Sequence, residues 1–409
     1  MKVQTGQGAM PLVTLLAIWA ISAITSLPGL AVSPIMGKLD TIFPSVSHLE
    51  IQMLTSIPSL LIIPFVLLSG KLAEKKDKNL ILKIGLSIFV LSGVLCFFAK
   101  SMMALILISC LLGIGAGMVI PLSTGLIADF FTGVYRTKQL GISSAITNLT
   151  LVLATALTGW LADINWHLPF VVYLFPILAL VLSYNFKDSV LKKNNITYIG
   201  SDSNINQDKS ALIPEGKTMN IPYLTGIMVL YFFICFAALI IVLNLPFILQ
   251  TYKFESSVSG TVISIFFLAI MLPGFFLYRI MTLFKEMTVV YSLVSMAIGL
   301  LLISLSHNLI LIIAGTILVG FAYGVIQPMV YDKATQVAKS NKVVLALAFV
   351  MSVNYLSILV TPFINDLFAA FLDDESVIFP FRMNFILTIL FIIIAYIRRN
   401  TFVFSATKS

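Results

Sequence analysis

Apolar residues along this 409-residue chain come in long unbroken blocks rather than in strict alternation. Twelve blocks approach the roughly 20 residues that a helix needs to cross a hydrocarbon layer: 10–36, 50–69, 80–99, 102–124, 139–161, 168–186, 221–249, 257–277, 288–305, 308–331, 342–367 and 379–397. The first is too long for a signal h-region and no A-x-A-like site closes it, so it is read as a span. The longest polar stretch, residues 187–220, is rich in Asn, Ser, Lys and Gly and reads as a linker with little intrinsic structure. The pattern predicts an all-α polytopic membrane protein with a six-span N-terminal half (1–186), a linker (187–220) and a six-span C-terminal half (221–409).

The two halves carry a repeat. Gly113, Gly117 and Pro121 in the fourth span recur as Gly320, Gly324 and Pro328 in the tenth, at an offset of 207 residues. Asn148 and Thr155 in the fifth span answer Asn354 and Thr361 in the eleventh. Corresponding spans are six apart and point the same way, so the repeat is parallel, with halves related by an axis along the membrane normal. The Gly-x3-Gly spacing favours close helix packing, and Asn148 and Asn354 are expected to hydrogen-bond between helices.

Composition and charge sharpen this reading. Only 10% of the residues are charged and 59% are hydrophobic, too little charge to cover a soluble domain of this length. With twelve spans the termini share a side, and of the 25 basic residues only Lys38, Lys100, Lys253 and Arg382 lie opposite them. The positive-inside rule therefore puts both termini in the cytoplasm. Short outward loops fit a bacterial inner membrane. The net charge of +8 is dispersed over short loops and makes no nucleic-acid surface. The three cysteines fall inside predicted spans, where a thiol behaves as a small hydrophobe. His48, His167 and His307 lie in outward loops without metal-ligand spacing, and no cofactor motif is present.

The decapeptide GKLAEKKDKN, residues 70–79, concentrates charge in the loop after the second span. It resembles the signature of the major facilitator superfamily in that loop: Gly70, Leu72, Lys75 and Lys78 match, while Glu74, Asp77 and Asn79 replace the usual Asp, Gly and basic residue. With the repeat, the linker and GVYRTKQLG at 133–141, the resemblance covers nearly the whole chain and is greatest to the twelve-helix drug/proton antiporter branch. It implies a cytoplasmic gate of Gly70, Glu74, Lys75, Lys78, Asp129 and Arg136, with Glu74 facing the start of the eleventh helix and Lys78 paired with Asp129. A carboxylate near a helix N-terminus is favourable on general grounds, and a partly desolvated ion pair can hold elements together.

The resemblance also implies a central cavity lined by spans one, four, seven and ten. Trp19, Ser22 and Ser26 share a broad face of the first span, Tyr323, Gln327 and Tyr331 follow at i, i+4 and i+8 on the tenth, and Tyr231 and Asn244 add polar atoms on the seventh. Amides and phenols facing lipid are costly, so these groups are expected to point inward; Tyr331 is alternatively an interfacial anchor. The serines can instead bond their own helix.

No Walker-type sequence, H-E-x-x-H or G-x-S-x-G occurs, so neither a built-in ATPase nor an intramembrane hydrolase is expected. The expected function is secondary transport of a small-molecule solute across the lipid bilayer by alternating access. Efflux of amphipathic or weakly polar compounds is favoured; uptake of a neutral nutrient is the alternative, and a scramblase or receptor would be of another class. Protons are the candidate coupling ion, although no titratable group sits at the centre of a span, and Asp40, near Lys38 at the outer end of the first, is the candidate proton site. The family's fourth-span Arg position holds Ser109, and of its fifth-span glycine signature only Gly159 remains. A single chain is expected to be the working unit.

Overall fold

A computed structural model describes residues 2–6, 8–73, 77–131, 133–184, 219–338 and 343–405. The expected linker therefore lies almost wholly outside the described residues, as do Glu74 and Lys75. After a small antiparallel hairpin of β1 (Lys2–Gln4) and β2 (Ala9–Pro11), the described chain is helical.

The helices are α1 (Leu12–Ile24), α2 (Met36–Ile42), α3 (His48–Ala73), α4 (Lys78–Cys96), α5 (Met102–Phe130), α6 (Gly133–Ile164) and α7 (Pro176–Ser183). They continue with α8 (Ile221–Thr251), α9 (Ser256–Met271), α10 (Pro273–Phe284), α11 (Thr288–Leu305), α12 (Leu309–Gln336), α13 (Val343–Leu372) and α14 (Phe379–Ile397). Ten helices among the described residues are long and apolar enough to cross a membrane. Where the first and sixth spans are expected there are shorter apolar stretches, Leu12–Ile24 and Leu168–Ser183. The first breaks at Pro28-Gly29: proline supplies no N–H for a continuing helix, and Gly29 takes φ +83 where any Cβ would meet the Thr55 carbonyl oxygen. The sixth changes from a 3-10 turn (Leu168–Leu174) to α7 at Pro176.

Helix starts follow local chemistry. Before α3, the Glu50 carboxylate accepts from Ser47 N at 2.9 Å while Ser47 Oγ accepts from Glu50 N, a reciprocal capping box. Asp77 caps α4 by accepting from Asn79 N at 2.9 Å, which gives the acid at a position where the superfamily signature has glycine a structural task. Asn308 caps α12 in the same way through Ile310 N.

The chain divides into two compact units, Met1–Ile196 with Leu245–Ser264 and Thr197–Asn244 with Ile265–Ser409. The repeated glycines do equivalent work in each. In the first, Cβ atoms at Gly113 and Gly117 would press on Pro58 O and Phe65 Cβ of α3. In the second, Cβ atoms at Gly320 and Gly324 would press on the Phe266 and Ile270 carbonyls of α9. Small residues thus let the fourth and tenth spans lie against the second and eighth at backbone distance.

The end of α8 and the start of α9 pack into the first unit. Asp163, at the end of α6, accepts from the backbone N–H groups of Ser256 and Ser257, both at 2.9 Å, and so caps α9. Gly159 and Gly260 oppose each other closely enough that a Cβ on either would strike the other chain segment, and Thr155 Oγ1 lies 2.9 Å from Ser264 Oγ. The His48 ring stacks on Phe247 at 4.5 Å.

Candidate functional site

Within the second unit, α8, α12 and α13 bring six polar groups together. The 3.6-residue period puts Tyr323, Gln327 and Tyr331 on one face of α12, and this face meets Tyr231 and Cys235 of α8 and Asn354 of α13. Tyr231 Oη lies 3.2 Å from Tyr323 Oη and 3.0 Å from Tyr331 Oη. The Gln327 amide nitrogen is within donating distance of all three phenol oxygens, at 3.1 Å to Tyr231 and 3.3 Å to each of the others. Asn354 Nδ2 donates to Tyr323 Oη at 3.0 Å, and Cys235 Sγ lies 3.7 Å from the same oxygen.

Counting donors and acceptors gives this cluster a direction. The two amides supply N–H groups to the phenol oxygens, and the phenol hydrogens can pass along the chain Tyr331, Tyr231, Tyr323 to the Cys235 sulfur. Gln327 and Asn354 are only partly buried. Uncharged phenols beside partly buried amides can pack against an apolar ring system and exchange hydrogen bonds with it.

Two sequence expectations change here, those for Asn148 and Asn244. Tyr331 belongs to the cluster and not to a membrane-interface belt. Asn354 does bond across helices, to the phenols, whereas Asn148, partly exposed, turns its Nδ2 back to Ser144 O of its own helix at 3.0 Å. Asn244 is buried thirteen residues beyond Tyr231, about 20 Å along the helix at 1.5 Å per residue, and so stands apart from the cluster.

In the first unit the polar face of α1 is stitched to its neighbours. Trp19 Nε1 donates to Gln139 Oε1 of α6 at 3.0 Å. Ser22 Oγ donates to Ile18 O and lies 3.1 Å from Ser123 Oγ of α5. Ser26 Oγ donates to Thr147 O at 3.1 Å. Gln139 and Ser123 were not singled out in the sequence; their position facing α1 follows only from packing.

At the other candidate positions, Lys78 Nζ lies 2.7 Å from Asp129 Oδ2, joining α4 to α5 with both side chains partly exposed. Gly70 lies in α3 with open space around it, and Arg136 lies in α6. Asp40 pairs with His48 Nε2 at 3.1 Å rather than with Lys38, whose ammonium instead donates to Ala162 O at 2.5 Å at the end of α6. No group of three or more metal-ligating side chains occurs among the described residues.

Many apolar helices, glycine-packed repeats in two units and a buried uncharged polar cluster define the class: a multi-pass membrane protein on a solute-transporter scaffold. The sequence pattern of the Major Facilitator Superfamily matches residues 12–215 and 227–406, and the chain belongs to that superfamily. It is 36% identical over 108 residues to the multidrug transporter protein MdtP of Bacillus subtilis, covering 26% of this chain and 20% of that protein. It is 35% identical over 115 residues to the quinolone resistance protein NorA of Staphylococcus aureus, covering 28% and 29% of the two. The alignments thus span less than a third of these relatives. Among solved structures, a bacterial homologue of the human lysosomal transporter Spinster in an inward-facing, unoccupied conformation matches with a TM-score of 0.67 at 15% identity, over 96% of each chain. The nucleoside transporter NupG matches with a TM-score of 0.69 at 10% identity, over 95% and 100%. At such identities these two establish the fold alone.

Proposed function

We propose that this protein exports small amphipathic or weakly polar organic compounds by alternating access. The six-span halves 1–186 and 221–409 would move about the 187–220 linker, with both termini on the cytoplasmic side of a bacterial inner membrane and one chain as the working unit. The observation that carries the reading is the cluster of Tyr231, Tyr323, Tyr331, Gln327 and Asn354, which offers aromatic surface and hydrogen bonds without a fixed charge. Such a wall suits a ring-bearing solute with N–H or O–H groups. A phosphate or dicarboxylate would call for the bidentate basic side chains that the cluster lacks. The names of the relatives, multidrug transporter and quinolone resistance protein, support export as the direction.

In this reading the Lys78–Asp129 pair belongs to the cytoplasmic gate, and Trp19, Ser22 and Ser26 line the path from the side of the first unit. The test is flux in proteoliposomes loaded with a pH-sensitive dye and challenged with lipophilic cations, neutral aromatic compounds, sugars and amino acids. Saturable movement of the aromatic amphipaths, lowered in Gln327→Leu, is expected. Movement confined to sugars or amino acids would replace export of amphipaths with nutrient uptake, and no solute-dependent flux would remove the transport reading.

A further inference from the structure

Lys333 is buried, at 7% exposure, and is the one Asp, Glu, Lys, Arg or His that is so among the residues whose burial is described. No carboxylate lies within ion-pair distance of it in the described chain. Its ammonium instead donates to three backbone carbonyls of the C-terminal turn: that of Phe402, that of Val403 at 3.0 Å and that of Ser405 at 2.5 Å. The Phe402 ring completes the enclosure, with its centroid 5.2 Å from Nζ. An ammonium has three N–H donors, and the three carbonyls match them; the Asp332 carboxylate, next in sequence, acts on it only from beyond ion-pair distance.

The turn that supplies the carbonyls is built for the purpose. It follows α14 directly and is closed by Thr401 N to Arg398 O, Phe404 N to Thr401 O and Ser405 N to Thr401 O. Phe402, Val403, Phe404 and Ser405 are all buried. Phe402 packs on Tyr223 of α8 at 5.2 Å between ring centroids, and Val403 fills the space beside Gly226, where a Cβ would come within 3.0 Å of Val403 Cγ2. A second tie lies alongside, where Asn220 N donates to Val337 O at 2.9 Å. The C-terminal turn therefore clasps the same ends of α8 and α12. Tyr331 is two residues before Lys333, about 3 Å along α12, and Tyr231 is about 8 Å along α8 from Gly226.

We propose that Lys333 is a positioning residue: by holding the C-terminal turn against α8 and α12, it fixes the spacing of the two helices that carry the phenol–amide cluster. The last described residues of the chain are then part of the solute site's support and not a dispensable tail. The consequence for transport rests on the reading of that cluster as the solute site, whereas the positioning itself does not.

The protein contains its own reporter. Cys235 belongs to the cluster, and Cys96 is buried in α4 of the first unit. The experiment compares alkylation of the two thiols in the full-length membrane protein, by mass spectrometry, in the wild type, Lys333→Met, Lys333→Arg and a chain ending at Arg399. Loss of the clasp is expected to raise Cys235 labelling several-fold in Lys333→Met and in the shortened chain, with Cys96 unchanged and Lys333→Arg in between, because a five-donor guanidinium overfills a cage of three carbonyls. Cys235 labelling that stays at the wild-type level, or that rises only together with Cys96, would overturn the proposal, the second result marking general unfolding. Flux of an aromatic solute on the same variants should show a raised KM with the maximal rate retained. A rise at Cys235 without any change in KM would sustain the positioning role and overturn the solute-site reading instead.

Discussion

The cap that Asp163 places on α9 makes a quantitative prediction. Its carboxylate takes up two backbone N–H groups, from Ser256 and Ser257, at the positive end of a 16-residue helix. Losing an N-cap costs about 0.5–2 kcal/mol, and removing a negative charge from a helix N-terminus about 0.3–1 kcal/mol. Water can replace part of this, because the site borders an open pocket of about 320 Å³ lined by Lys38, Thr41, Asp163, Gln250 and Lys253. The two costs together span about 0.8–3 kcal/mol, and with water replacing part of them the net loss in Asp163→Ala is set below the middle of that span, at about 1.4 kcal/mol, or about tenfold in the equilibrium between packed and detached states of residues 245–264. Ser264→Cys reports that equilibrium, since Ser264 is buried and bonded to Thr155 in the packed state. Alkylation of this cysteine by a small thiol reagent should accelerate about tenfold in Asp163→Ala and less in Asp163→Asn, which keeps one acceptor oxygen. An unchanged rate in both would refute the view that this cap holds residues 245–264 in place.

Other expectations follow from single contacts. Tyr231→Phe removes one shared oxygen but leaves Gln327 and Asn354 their bonds to Tyr323, so the loss should be about 1 kcal/mol, seen as a roughly fivefold rise in KM for an aromatic solute; an unchanged KM would take Tyr231 out of the site. Gly113→Leu puts a Cβ about 2.5 Å from the Pro58 carbonyl oxygen. Overpacking of this kind costs about 1–3 kcal/mol, and a clear fall in thermal stability in detergent is expected; a melting temperature equal to the wild type's would contradict the close approach. For Lys78→Gln and Asp129→Asn, a double-mutant cycle on stability should return a coupling of about 0.2–1 kcal/mol, the range for partly exposed pairs. Additive single effects would mean that the pair contributes nothing.

The sequence legibly carried those features that are written as period and repetition. The tyrosine, glutamine and tyrosine on the tenth span share a face because of helical geometry alone, and the glycines at a fixed offset mark equivalent close contacts in each unit. Features made by a distant partner were not legible. Nothing local distinguishes Lys333 from a lysine at the edge of a span until the C-terminal turn is seen to fold over it. Asp40 sits beside Lys38 in sequence, yet the turn of α2 and the start of α3 give it His48. Asp77, where the superfamily signature has glycine, caps α4, a local role that the motif comparison alone does not supply. The break at Pro28-Gly29 was visible as a pair of helix-disfavouring residues, but its extent depends on the Thr55 carbonyl beside it.

The most direct test of the central claim, that the phenol–amide cluster holds the solute, uses the thiol already within it. Cys235 would be alkylated in native membranes by a small thiosulfonate, with increasing concentrations of an aromatic amphipath that the protein transports, and Cys96 would serve as the internal control. The account predicts protection of Cys235 alone, half-complete near the solute's KM and shifted to higher concentration in Gln327→Leu. Protection absent at Cys235, or equal at both thiols, would contradict it.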